Sequence, residues 1–310
     1  MTFLMNRKEM DILFERIRKD YETFGAVEEN GDIVFAKVEK FSEISSGKSS
    51  YAPKGFLITR SANVLEIPRP EKKAIFGIKS CDLRGFQIMD LQILGKDPAY
   101  TMKRNNTVFV NFVCNEICHG GFCTTFGGPV LNSYDIQILR DGDSYFVQAS
   151  EKYRSYLDGF KEITKDDPFR NYNDSFSRKY GKIESDHIEK RMTWSSELWT
   201  EYARRCISCG ACNYSCPTCY CVDVYDDEEG RKQEWDSCIL DGFSRTAAGD
   251  IRPDLSDRLR QRFYHKFRYY KLARGEYLCT GCNRCVDDCP VDIDIKEVIT
   301  HDYSSESVRS

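Results

Sequence analysis

Two stretches decide how the second half of this chain is interpreted: CISCGACNYSCP at residues 206–217 and CTGCNRCVDDCP at residues 279–290. Both follow the pattern C-x2-C-x2-C-x3-C-P, which is typical of segments that hold [4Fe–4S] clusters in two-cluster bacterial ferredoxins. Each packs four cysteines into eleven residues, whereas zinc sites usually draw two short pairs from separated segments. The pattern therefore favours iron–sulfur clusters over zinc, and one-electron chemistry.

The spacing also predicts which thiols share a cluster. In two-cluster ferredoxins the fourth cysteine of each run ligates the other cluster. Applied here, one set is Cys206, Cys209, Cys212 and Cys289, and the other is Cys279, Cys282, Cys285 and Cys216. Without that exchange the same eight thiols would still serve two clusters.

Seven of the fifteen cysteines lie outside the two runs. Cys81, Cys114, Cys118 and Cys123 fall within 43 residues of the first half, each in a loop or at a strand end. They predict a candidate third [4Fe–4S] cluster if the strands before Cys81 and Cys114 are neighbours, with His119 as an alternative ligand. Cys219, Cys221 and Cys238 follow the first run. They are interpreted as packing near a cluster, tuning it or joining an unusual site, and simple burial is the alternative.

Composition narrows the class of protein. The 310 residues carry 45 basic and 49 acidic side chains, for a net charge of −4, so nothing points to nucleic acid or an anionic membrane. Mean hydropathy is −0.55, and no apolar run is long enough to predict a membrane span. The N-terminus lacks the apolar core of a secretory signal, and the odd cysteine count excludes a fully paired disulfide framework. A cytoplasmic protein is expected.

The pattern of apolar residues predicts an α+β chain in three segments. Residues 1–150 form a mixed α/β domain, 151–192 a connector, and 193–310 a mainly helical, ferredoxin-like domain. Helices are predicted at residues 5–24 and 83–94, and strands at 33–38, 55–59, 73–78 and 107–114. A long helix with apolar residues from Leu255 to Tyr270 ends near Gly275. Its basic stretch, residues 258–274, is interpreted as an amphipathic face with rings inside and charges outside.

The region from residue 203 to 290 resembles the iron–sulfur electron-transfer subunits of anaerobic sulfite reductase and of cytosolic sulfhydrogenase, where it is the beta subunit. The residues that carry the resemblance are the first run with its extension Pro217-Thr218-Cys219-Tyr220-Cys221, the segment Trp235-Asp236-Ser237-Cys238, and the second run. Residues 77–82 and the Cys114 loop are similar more loosely, so the resemblance spans nearly the whole chain.

The resemblance implies a protein that is not catalytic alone. It would pass electrons between a flavin-containing NAD(P)H-oxidoreductase and a catalytic sirohaem or nickel–iron subunit, in an anaerobic setting, with no flavin in this chain. Anaerobic sulfite reductase is the leading interpretation, and a sulfhydrogenase or related hydrogenase is the alternative. Two other classes stay open: a stand-alone sulfur or disulfide reductase that uses Cys219, Cys221 or Cys238, and a structural or nucleic-acid-binding cluster protein that uses the basic helix.

Overall fold

The computed structural model describes residues 1–66 and 69–304. The strands are β1 (Thr2–Met5), β2 (Glu22–Glu29), β3 (Asp32–Lys37), β4 (Ser61–Asn63), β5 (Lys73–Lys79), β6 (Thr107–Phe112), β7 (Ile136–Asp141), β8 (Ser144–Ala149), β9 (Lys161–Ile163), β10 (Val222–Asp227), β11 (Gly230–Trp235), β12 (Arg245–Thr246) and β13 (Gly249–Asp250). The α-helices are α1 (Arg7–Arg18), α2 (Ser80–Ile93), α3 (Pro98–Asn105), α4 (Tyr172–Tyr180), α5 (Ile188–Arg191), α6 (Leu198–Arg205), α7 (Ala211–Tyr214), α8 (Leu255–Tyr264), α9 (Tyr270–Arg274), α10 (Arg284–Asp287) and α11 (Ile295–Thr300). A π-helical turn, His265–Tyr269, joins α8 to α9. The α+β class is confirmed.

One mixed sheet of eight strands, in the order β3-β2-β5-β6-β7-β8-β1-β9, organises the first half. β2, β5, β6 and β7 run parallel at its centre, and the outer pairs are antiparallel. Parallel neighbours need a crossover connection, which α2 and α3 supply between β5 and β6. The carboxyl ends of β5 and β6 therefore meet at one edge of the sheet.

Helices cover both faces of this sheet. Alternate residues of β5 point to opposite faces: Phe76 packs with α1 through Phe14, and Ile75 packs with α2 through Phe86. Burial on both faces holds β5 and α2 rigidly, so the residues where they join, including Cys81, have a fixed position.

Two sequence-based assignments are wrong. The helix predicted for residues 5–24 ends at Arg18, and Phe24 and Gly25 belong to β2. Their strand pairs with β3 on one side and β5 on the other, and pairing on both sides outweighs the helical spacing of the apolar residues. The strand predicted for residues 55–59 is replaced by a 3₁₀ turn, Pro53–Phe56, where Pro53 fixes the first φ angle.

The second half is tied to the first by a hairpin. The helix predicted before the second cysteine run is present as α8, the π turn and α9, and it ends at Gly275, whose φ is +77°. The gap between the runs also contains the β10–β11 hairpin, and β11 pairs with β4. The Trp235 indole N–H donates to the Ile58 carbonyl at 3.0 Å.

The predicted connector, residues 151–192, contributes more than linkage. It supplies β9, which pairs with β1 at the end of the large sheet, and the helices α4 and α5. The division of the chain at residues 150 and 192 stays a prediction. In the two ranges that the structure describes, no helix is both long and apolar enough to cross a membrane.

Candidate metal centres

A small, mostly apolar cavity lies beneath the first cysteine run, and we call it the first-run cavity. The thiols that line it are Cys206, Cys209, Cys212, Cys285 and Cys289. Ile239, Leu259 and Phe263 form part of its apolar wall. The four residues of the first predicted ligand set therefore face one space.

A second cavity, which we call the second-run cavity, contains the other predicted set. Its lining thiols are Cys216, Cys279, Cys282 and Cys285. Lys266 and Phe122 also line it. Thus Cys216 lies with the second run and Cys289 lies with the first, as ligand exchange requires. The ligand assignment stays a prediction, and this placement supports it.

The two runs share one backbone conformation. Ser208 and Gly281, each two residues after the first cysteine of its run, have φ of +57° and +68°. Gly210 and Asn283, each directly after the second cysteine, are also left-handed, with φ of +75° and +68°. The third cysteine of each run then lies on a one-turn helix, α7 or α10. Two copies of one local fold explain why the spacing is repeated.

The four cysteines of the first half also line one space, the N-terminal cavity: Cys81, Cys114, Cys118 and Cys123. β5 and β6 are parallel neighbours, with Lys79 opposite Phe112, which meets the condition set for a third cluster. Cys81 and Cys114 each follow two residues after that pair, so the sheet edge brings them together. His119 is exposed and lies outside the cavity lining, which leaves four thiols as the donor set.

The N-terminal cavity is closed on one side by the second cysteine run. Gly281 and Cys282 contribute to its wall, and the Phe122 N–H donates to the Gly281 carbonyl at 2.8 Å. A Cβ atom on Gly281 would lie 2.6 Å from the Phe122 carbonyl carbon. Only glycine allows the two backbones to approach this closely.

Shared thiols connect the three cavities in series. Cys285 lines both the first-run and the second-run cavity. Cys282 lines both the second-run and the N-terminal cavity. The three spaces therefore follow one another through the molecule, each separated from the next by a cysteine side chain.

A buried ion pair joins the N-terminal cavity to the second run. Asp82 follows Cys81, and Arg284 lies between Cys282 and Cys285; both side chains are 1% exposed. The guanidinium binds both carboxylate oxygens of Asp82, with Nη2 2.9 Å from Oδ2, and Arg284 Nε donates to the Ser49 carbonyl at 3.0 Å. Sequence reasoning missed this pair, although a charged residue beside a cysteine in both segments was a signal.

Cys219, Cys221 and Cys238 pack beside the runs. The Asp236 N–H donates to the Cys221 carbonyl at 3.0 Å, so closure of the β10–β11 hairpin brings the segments of Cys221 and Cys238 together. Interaction between these two thiols lowers the pKa of Cys238 to about 6 and raises that of Cys221. Asn213 Nδ2 donates to Cys238 Sγ at 3.2 Å. Cys219 is buried, and its contact lowers the pKa of Cys216.

Three buried cations surround the thiols of the first run. Lys54 Nζ donates to the carbonyls of Asn213 and Cys219 at 2.8 and 2.9 Å. Arg262 Nε donates to Asn213 Oδ1 at 2.9 Å, and Lys266 Nζ donates to Cys216 Sγ at 3.2 Å.

Among the described residues, none of these cations forms an ion pair with a carboxylate. A buried charge is costly unless an opposite charge compensates it. Thiolate-ligated clusters supply negative charge there, so the residues fit [4Fe–4S] clusters.

The metal-free thiols would not be ionised. Burial raises the pKa of Cys123 and of Cys279 to about 12. Because only the thiolate ligates metal, loading the cavities must release protons to solvent.

The thiols are distributed around the cavities and do not converge on a point. Within residues 1–66 and 69–304, no group of three Cys, His, Asp or Glu side chains has the geometry for a single metal ion. Zinc requires four ligands at about 2.3 Å from one ion, whereas the thiolates of a [4Fe–4S] cluster bind separate irons. The spread of the thiols favours the cluster interpretation.

The basic stretch at residues 258–274 differs from its prediction. Arg258, Arg262 and Lys266 are buried, with at most 6% of each side chain exposed. Their charges point into the protein because acceptors wait there, including the Ile239 carbonyl for Arg258 at 3.1 Å. Charges therefore lie inside as well as outside the helix, and less of its charge is available to an external partner.

Comparison with known proteins places these features in a family. The model of a 4Fe-4S dicluster domain matches residues 205–293. The "Sulfhydrogenase 2 subunit beta" of Pyrococcus furiosus is 30% identical over 319 aligned positions, which cover 92% of this chain and 93% of the relative. The chain belongs to the sulfhydrogenase beta-subunit family.

A second relative matches over a shorter region. The "F420-dependent formate dehydrogenase subunit beta" of Methanocaldococcus jannaschii is 29% identical over 112 positions, or 36% of this chain and 23% of the relative. No solved structure matches the chain significantly. The resemblance seen in the sequence is confirmed for the sulfhydrogenase beta subunit. The chain is an iron–sulfur electron-transfer subunit with [4Fe–4S] clusters, and neither match sets the number of clusters.

Proposed function

We propose that this family member relays electrons through three [4Fe–4S] clusters held in the three cavities. The ligand sets are Cys206, Cys209, Cys212 and Cys289 for the first; Cys216, Cys279, Cys282 and Cys285 for the second; and Cys81, Cys114, Cys118 and Cys123 for the third. The observation that carries the proposal is the sharing of Cys282 and Cys285 between successive cavities. Each cluster supplies one-electron redox chemistry when bound.

The protein's own residues support such a relay in three ways. The apolar walls of the first-run cavity exclude water, which strengthens every electrostatic interaction inside. Arg262 and Lys266 supply positive charge, which favours the more negative, reduced state of a nearby cluster. Arg284 and Asp82 fix the distance between the second run and the N-terminal cavity.

The ends of the series suit exchange with other subunits. Cys209 is exposed, and Ile207 beside it is 61% exposed. At the other end, the loop that carries Cys118 includes the exposed Glu116 and His119. Electrons can therefore enter and leave at separate surfaces, and the chain needs no substrate pocket.

The proposed partners are a flavin-containing NAD(P)H-oxidoreductase and a catalytic subunit. The relative's name makes a nickel–iron hydrogenase partner the first choice, and the sequence resemblance keeps a sirohaem sulfite reductase as the second. We further propose that the complex is cytoplasmic and anaerobic, that this chain carries no flavin, and that it is not catalytic alone.

Iron analysis of anaerobically purified protein tests the relay. We expect about twelve irons per chain, at four for each cluster. Replacing Cys81 and Cys114 together with serine should remove about four irons and leave the electron paramagnetic resonance (EPR) signals of the other two clusters. Fewer than about six irons in the wild-type protein would contradict the proposal. Native mass spectrometry of the complex identifies the partners.

A second candidate function, disulfide or sulfur reduction by the chain itself, is favoured by the contact between Cys221 and Cys238. Replacing Cys238 with serine should leave the iron content unchanged. If the isolated wild-type chain reduces disulfides and this variant does not, the second function is supported. The absence of turnover by the isolated chain would remove it.

A further inference from the structure

We infer that Lys266 is the residue that holds Cys216 in the ligand set of the second run and sets the reduction potential of the cluster there. The inference rests on the proposed function and deepens it. Lys266 is a positioning residue, because it acts through Cys216 and through its charge.

The ammonium group of Lys266 connects the two cysteine runs. Its Nζ donates to Cys216 Sγ, Thr218 Oγ1 and the Leu278 carbonyl, each at 3.2 Å. Cys216 ends the first run, and Leu278 directly precedes Cys279, which begins the second. An ammonium has three donors, so all three are used, and they join two segments that lie more than sixty residues apart.

The backbone around Lys266 is shaped for this contact. Lys266 lies in the π-helical turn His265–Tyr269, a local widening of the helix that is frequent at functional sites. The Leu278 N–H donates to the Lys266 carbonyl at 2.8 Å, so the same residue binds the start of the second run through both backbone and side chain. Its side chain is 2% exposed.

The charge of Lys266 is not compensated by a carboxylate. Among the residues that the structure describes, no Asp or Glu lies within ion-pair distance of it. Arg284, which is buried near the same cavity, is neutralised by Asp82. The field of Lys266 therefore acts on the cluster site without a local counter-charge, and burial protects it from screening by salt.

The physical consequence is a raised potential. Reduction adds a negative charge to a cluster, and a fixed positive charge in a low-dielectric interior stabilises that state. Removing the ammonium should lower the potential of the second-run cluster and leave the N-terminal cluster nearly unchanged, since Lys266 does not line the N-terminal cavity.

The experiment is an EPR-monitored redox titration of the anaerobic holoprotein, comparing wild type with Lys266→Met. We expect reduction of one cluster to become at least tenfold less favourable, which is about 59 mV for a one-electron couple. Lys266→Gln keeps hydrogen bonding without the charge, and it should show the same downward shift. Lys271→Met is the matched control, because Lys271 lies on the same long helix but is only partly buried.

The outcomes separate the inference from the function on which it rests. If Lys266→Met loses about four irons while Lys266→Gln retains them, the positioning role is supported and the potential is then measured on Lys266→Gln. Wild-type potentials in an iron-replete Lys266→Gln protein overturn the inference. A wild-type protein without a reducible [4Fe–4S] signal overturns the proposed function instead.

Discussion

The N-terminal cavity and the two run cavities assemble the same kind of donor set by different means. In the runs, left-handed residues and one-turn helices wrap the chain around a cavity within eleven residues. In the N-terminal cavity, Cys81 and Cys114 come from different strands and meet because β5 and β6 are parallel neighbours. The first arrangement depends mainly on local sequence, and the second depends on the completed sheet.

The difference teaches where each centre is vulnerable. A run keeps most of its geometry if distant contacts are lost, since three of its four thiols lie on one short segment. The N-terminal centre loses its geometry if the sheet edge or its contact with the second run is disturbed. Substitutions at that contact and close to it should therefore have effects that decrease from the buried ion pair outward.

Breaking the buried ion pair should have the largest effect. Asp82→Asn leaves the Arg284 guanidinium buried without its carboxylate, and removal of one partner from a buried pair costs on the order of 3–5 kcal/mol. We expect that loss in the free energy of unfolding, measured by anaerobic denaturant titration followed by circular dichroism. Iron should be lost first from the N-terminal centre.

Asp241→Asn is the control for the ion pair. Asp241 also pairs with an arginine, Arg258, but its side chain is 71% exposed. An exposed pair contributes about 0–1 kcal/mol, so this variant should behave as wild type. Equal destabilisation by the two variants would show that the buried pair has no special role.

Widening the contact between the two regions should have the next largest effect. Gly281→Ala adds a methyl group that meets the backbone of Phe122 and also strains a left-handed residue. Overpacking typically costs about 1–3 kcal/mol, and the left-handed conformation about 1–2 kcal/mol. We expect a lower free energy of unfolding and altered EPR coupling between the N-terminal and second-run clusters.

Gly275→Ala separates strain from steric clash. Gly275 has a φ of +77°, close to the +68° of Gly281, but nothing lies within 4 Å of the position that its added methyl group would take. It should lose only the conformational part. If Gly275→Ala is as harmful as Gly281→Ala, close approach of the two backbones is not what the glycine provides.

The smallest effect concerns acid. Burial lowers the pKa of His265 to about 4, beside Lys266 and the rings of Tyr220 and Tyr270. Between pH 6.5 and 4 the unfolded chain binds the proton that the folded chain refuses, so this histidine makes folding less favourable as pH falls. From pH 7.5 to 5.5 the expected loss is about 1 kcal/mol.

A comparison of the wild-type protein with His265→Gln isolates this contribution. The variant cannot gain that proton when it unfolds, so its free energy of unfolding should fall less over the same pH interval. Denaturant titrations at the two pH values supply both slopes. Parallel slopes would mean that His265 is free to ionise in the folded protein.

Local features could be predicted from sequence because their causes are local. The repeated cysteine spacing needs only a short segment to form, and Gly275 ends its helix by adopting a left-handed conformation that glycine tolerates. The strand pattern around residues 73–78 and 107–112 was also readable, since alternation and β-branched residues favour strands. Together they were enough to suggest that Cys81 and Cys114 meet.

Non-local features could not be predicted. Residues 22–29 have helix-like spacing, and only their pairing with β3 and β5 makes them a strand. The burial of Arg262 and Lys266 depends on acceptors from segments far away in the sequence, so an amphipathic pattern gives the wrong side for these charges. The Asp82–Arg284 pair spans 202 positions, and no sequence pattern indicates which distant charge is the partner.

The β4–β11 pairing has a consequence for how the chain is made. Ile58, whose carbonyl accepts from Trp235, leaves the ribosome 177 residues before its partner. At about 5–20 residues per second, that interval is ~10–35 s. During it the edge of β4 has no strand to pair with, and the thiols of the first half are synthesised long before the second run can cover them. A nascent chain of this family therefore needs protection from oxygen and from wrong strand pairing before its last cysteine is translated.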